Sequence, residues 1–176
     1  MIRSGQLPVA LIASLLVAGC GGGQKATTPL ETRSLEESKA LEIVVAAIAE
    51  RGFQQAGPVK VELGNKSWLE CDVSVAGEKI AVEYLTEQDR REVVDIPPPA
   101  QGSRLHVIPA RLEPAQPGLQ GDPIYVYIID DRKYVYQYNP TSDRRADVTL
   151  GEVEDRLTRD LDDFLTWYEG TKAQAQ

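Results

Sequence analysis

Residues 7–18 (LPVALIASLLVA) form an uncharged, largely apolar run of 12 residues that ends against Gly19, Cys20 and three more glycines at 21–23. A bilayer-spanning helix needs about 20 apolar residues, whereas an export signal needs an apolar stretch of about 7–15 behind a positive start. Arg3 and the amino terminus supply that positive start. Each glycine costs about 1 kcal/mol in a helix interior, so a core helix would not stop this way. Residues 1–19 are therefore expected to be a cleaved signal peptide, and the fold must come from the chain that follows.

The boundary itself reads Val17-Ala18-Gly19-Cys20. It resembles the lipobox of bacterial lipoproteins, in which small residues precede an invariant cysteine. The resemblance implies that Val17, Ala18 and Gly19 are recognised by the signal peptidase. It implies that Cys20 becomes the mature amino terminus, carrying a diacylglyceryl thioether and, in many bacteria, an amide-linked chain such as palmitate. One acyl chain attaches a protein only reversibly, and two or three make the attachment firm. The resemblance extends to localisation. Gly21 stands where aspartate commonly marks inner-membrane retention, which implies the outer membrane, facing the periplasm, in a Gram-negative host.

The whole chain carries 19 basic against 27 acidic residues, a net charge of −8, and loses only Arg3 with residues 1–19, leaving −9. Nucleic acid is excluded as a main partner, because phosphate binding depends on clustered Lys and Arg. Two cysteines and one histidine are too few for a Cys/His metal site or a disulfide framework. No cofactor is expected beyond the covalent lipid. Residues 20–33 (CGGGQKATTPLETR) lack any apolar period and read as a flexible tether with an r.m.s. span of about 20 Å.

Residues 34–170 are expected to form a single α+β domain, and 171–176 a disordered tail. Ser34 and Glu37 have capping-box spacing, and Leu41, Val44, Val45 and Ile48 follow at helical period before Gly52. Three alternating runs around Val61, Val73 and Val82 predict a meander with turns at Gly64-Asn65-Lys66 and Gly77-Glu78. Matching apolar faces sets Lys60 opposite Glu70 and Asp72 opposite Glu83. Residues 87–121 are irregular, with a strand over 104–108. Residues 124–129 and 133–138 read as a hairpin, and 150–169 as a closing helix capped by Thr149 and Glu152 and ended by Gly170. The result is an N-terminal helix, an antiparallel sheet of about five or six strands, and a C-terminal helix packed on it.

Three sets of side chains could carry function. Tyr125, Tyr127, Tyr134, Tyr136 and Tyr138 alternate along the last two strands, and a tyrosine face offers rigid amphipathic area for a protein or cell-wall partner. Glu70, Asp72 and Glu83 could hold a divalent cation through oxygen ligands, although no calcium-loop spacing accompanies them. A helix followed by three strands with Asp72 and Glu83 on the second and third also resembles the layout of PD-(D/E)xK nucleases, but Leu85 stands where that family needs lysine. Cys71 falls on an apolar face and reads as a buried thiol. His106 stands without a nucleophile elbow or zinc helix. With no catalytic constellation, the leading expectation is a non-catalytic lipid-anchored binding module. The alternatives are a cation-binding module or cation-dependent enzyme, and a structural envelope component without a discrete site.

Overall fold

Residues 80–85 (IAVEYL) and 124–130 (IYVYIID) are apolar at nearly every position, the pattern of strands buried on both faces. They form the centre of the fold. The computed structural model describes residues 30–64, 66–93, 95–112, 123–139 and 146–174. In order these give β1 (Glu31–Ser34), α1 (Glu37–Glu50), β2 (Gln55–Ala56), β3 (Val59–Glu62), β4 (Trp68–Cys71), β5 (Val73–Val75) and β6 (Ile80–Leu85). There follow α2 (Glu87–Glu92), β7 (Val107–Leu112), β8 (Ile124–Asp130), a 3-10 turn (Asp131–Lys133), β9 (Val135–Tyr138) and α3 (Leu150–Gln174). The segment expected to be a signal peptide, with Val17, Ala18, Gly19 and Cys20, lies outside the described residues.

The fold is α+β, but its sheet is mixed, with seven strands in the order β2-β5-β6-β8-β7-β3-β4, beside a two-stranded β1–β9 sheet. β6 and β8 run parallel from Ile80↔Tyr125 to Leu85↔Asp130, where an antiparallel sheet was expected. The expected hairpin of residues 124–129 and 133–138 does not form. The Asp130 side chain accepts the Arg132 N–H at 3.1 Å and folds the connection into a 3-10 turn. Both edges of β8 are already taken, by β6 and β7, so β9 swings away.

The open edge of β9 recruits the start of the domain. β1 pairs with it from Glu31↔Tyr138 to Ser34↔Val135, and the Leu35 N–H donates to the Tyr134 carbonyl at 2.7 Å. The tether expected over residues 20–33 therefore gives way to structure at Glu31. Ser34 is held in this ladder and does not cap α1, whose N-cap is Glu36. At the other end, α3 runs through Gly170 to Gln174. Residues 171–174, expected in a disordered tail, stay helical, with Lys172 Nζ 2.7 Å from Glu78 on the β5–β6 turn.

The β3–β4 register is the expected one, Lys60↔Glu70 and Val59↔Cys71. β5 and β6 pair as Val73↔Val82, also as expected. Yet the second of the three alternating runs, expected as one strand over 68–75, bends at Asp72. Its first half, β4, is one edge of the sheet, while its second half, β5, lies next to the opposite edge. A chain with one residue between those positions can only do this if the sheet curls on itself. The curl makes two cores. α1 and α3 cover the outer one, over Val82, Tyr84, Tyr127 and Ile129. The inner one is enclosed by the curl and holds Val61, Leu69, Cys71, Ala81, Val126 and Ile128. Among the described residues no helix is long and apolar enough to cross a membrane.

α1 is tied to the sheet by Tyr84, whose hydroxyl donates to the Leu35 carbonyl in the buried outer core. Tyr84→Phe leaves that carbonyl without this donor and should lower the unfolding free energy by about 1–3 kcal/mol, measured by urea denaturation.

Candidate functional site

The tyrosines divide by strand. Alternation turns Tyr125 and Tyr127 of β8 toward α3. Tyr127 is buried and stacks on Phe164 with ring centres 4.8 Å apart, and Tyr125 meets the edge of Trp167 at 5.3 Å. Tyr134, in the connection to β9, is also buried, and its hydroxyl donates to Asp160 at 2.9 Å. Burial pushes the Tyr127 hydroxyl up to about 12, and Tyr134 moves in the same direction for the same reason. These three are helix-packing residues, not an open face. Tyr136 and Tyr138 on β9 remain half-exposed. Arg33 of β1 lies over the Tyr138 ring at 3.6 Å. Tyr136 lines a cleft of about 360 Å³ with Leu35, Lys39, Glu42, Leu150 and Glu154.

The three acids divide as well. Glu70 faces solvent on β4, opposite in phase to buried Leu69 and Cys71. Asp72 and Glu83 do come together, as the register predicts. The Asp72 carboxylate accepts the Tyr84 N–H at 2.7 Å, which replaces a ladder bond at the bend. Glu83 shares the inward phase of Ala81 and Leu85 on β6 and is 3% exposed. Its carboxyl meets both the side chain and the backbone N–H of Asp72, and Oε2 has no hydrogen-bond partner. Burial pushes the Glu83 carboxyl up to about 9, reinforced by the charges of Asp72 and Asp89. Burial also raises Asp72, opposed by the hydrogen bonds from Tyr84 and Glu83. Two carboxyl groups in this setting share one proton. Among the described residues no group of three or more His, Cys, Asp or Glu side chains is placed to hold a metal ion.

Cys71 is buried and free, as expected, and its thiol is raised by burial and by Glu83 and Asp72, the reverse of what a nucleophile requires. His106 Nε2 donates to the Pro97 carbonyl at 2.7 Å, and burial lowers its pKa. The ring pins the segment before β7. A group that sequence reasoning missed sits where the parallel strands end. Arg90 of α2 donates to the Leu85 carbonyl at 2.9 Å and pairs with Asp130 and Asp131 at 3.1 and 2.7 Å. The helix carrying Arg90 is announced by Thr86 and Asp89, which form a capping box. Asp162 and Asp163 lie on the exposed side of α3 and Asp160 is half-buried, and from there they pair with Arg51 and Arg104, joining α3 to its neighbours.

No family model, curated protein or solved structure matches the chain.

Because Tyr127 is packing and Tyr138 is not, the two should separate in a denaturation series. Tyr127→Ala should cost about 3–5 kcal/mol, and Tyr138→Ala about 1 kcal/mol or less, read from urea midpoints.

Proposed function

We propose that this chain is a bacterial envelope lipoprotein, acylated at Cys20, whose α+β domain is a non-catalytic binding module for an envelope protein or the cell wall. The observation that carries the reading is Val17-Ala18-Gly19-Cys20 directly behind an apolar run of 12 residues. Ten residues lie between Cys20 and β1, and a chain of that length spans roughly 17 Å. The β1–β9 sheet is thus the root of the domain, nearest the bilayer. Gly21 favours the outer membrane in a Gram-negative host.

The binding role rests on Tyr136 and Tyr138, the half-exposed tyrosines on that root. Tyr136 borders the cleft at the start of α1 and α3, where Leu35 and Leu150 offer apolar area and Lys39, Glu42 and Glu154 offer charge. That mixture suits contact with a polar, partly apolar partner.

Cys20→Ser in the full chain should move the protein from the membrane pellet to the soluble fraction and abolish incorporation of a fatty-acid label. Retention of the variant in the pellet, or a native protein that keeps residues 1–19, would end the lipoprotein reading.

A further inference from the structure

Asp72 stands at the point where one strand leaves one margin of the curled sheet and joins the other, and its side chain supplies a hydrogen bond the bent backbone cannot make. Behind it, Glu83 is enclosed with one oxygen unpartnered. We propose that the Asp72–Glu83 pair is a proton-operated latch: with one shared proton it holds the β4–β5 seam against β6, and loss of that proton loosens the seam.

The surroundings are one-sided. From β4 come Glu70 and the Cys71 thiol, from α2 Asp89, and from the first turn of α1 Glu37, which feels the charge of Asp72, all acidic or neutral. The nearest cation on α2, Arg90, is held by the Leu85 carbonyl, Asp130 and Asp131. Among the described residues a second negative charge, on the enclosed Glu83, therefore meets no compensating cation and cannot reach water. Relief comes from parting the strands. Asp72 also lines the surface groove where α1 residues Leu41, Val45 and Ala49 face Val73, so the state of the latch reaches the outside of the domain. The device is independent of the lipid anchor.

The sign of the linkage follows from Glu83 holding its proton in the folded chain up to about 9, whereas the unfolded chain releases it near the ordinary carboxyl value. Unfolding then releases a proton, and stability falls as pH rises between about 4.5 and about 9.

The test uses the full chain with Cys20→Ser, which leaves Cys71 its one thiol. Between about pH 5 and about pH 9 the melting temperature should fall, and this fall should be reduced in Glu83→Gln. At about pH 9, maleimide labelling of Cys71 should be about tenfold faster than in Glu83→Gln at the same pH, because only the ionised pair opens the seam. Equal labelling and equal slopes in both proteins overturn the latch. If Glu83→Gln does not fold, the carboxyl ¹³C shift of Glu83 in the Cys20→Ser chain decides. A midpoint near 9 supports the latch, and one in the ordinary carboxyl range overturns it. Calcium, magnesium or manganese that stabilises the chain at millimolar concentration, but not its Glu83→Gln variant, makes the pair a cation site and also overturns it.

Discussion

The bend at Asp72 is the constraint on which the architecture depends. A seven-stranded sheet with a single residue joining β4, at one margin, to β5, near the other, has no flat solution. Curling encloses a second apolar core without recruiting a third layer of helices. That economy leaves a polar requirement inside the closure. Where the strand bends, ladder bonds are lost, and buried amides need partners. Asp72 answers for the Tyr84 N–H, and Glu83 answers for Asp72. The cost is a pair of carboxyl groups inside an apolar wall.

The outer face follows a different logic, governed by α3. Val153, Leu157, Leu161, Phe164, Leu165 and Tyr168 lay one stripe across β8, and the aromatic side chains of β8 complete it. The helix is then fastened at intervals by polar contacts to distant parts of the chain. Tyr134 and Arg104 meet Asp160, Arg51 meets Asp162, Thr166 and Glu169, and Glu78 meets Tyr168 and Lys172. Exposed pairs of this kind contribute little each, but they locate the helix, and its position decides which tyrosines are hidden.

Much of this was legible in the sequence where the information is local. The Thr149–Glu152 capping box, the stripe of α3 and the Lys60↔Glu70 register depend on spacing within a few residues. So did the meeting of Asp72 and Glu83, which needs only a two-residue turn at Gly77-Glu78. What escaped depends on partners far along the chain. The parallel pairing of β6 with β8 is written only in their double-sided apolar character, which also fits other arrangements. β1 (ETRS) has no strand signature at all, and forms because β9 arrives with an open edge. Alternation places the tyrosines of each strand on one side, but spacing cannot say that β8 and β9 lie in different sheets or that α3 covers the tyrosines of β8. Pro109 argues against a strand continuing beyond residue 108, yet β7 accommodates it at an exposed position opposite Tyr125.

The pairing of β1 with β9 also determines how the domain bears mechanical load. Any tension transmitted through the leading segment enters the fold at Leu30 and passes directly into a four-residue ladder. When the pull runs along the strand axis, its rungs are strained together, not peeled one after another. The bond from Leu35 to Tyr134 lies just behind, and the hydroxyl of Tyr84 holds the same Leu35 from the central sheet. A short, charged, solvent-facing strand that adds almost nothing to either core is thus the route by which a force applied at Leu30 would reach Leu35 and the central sheet.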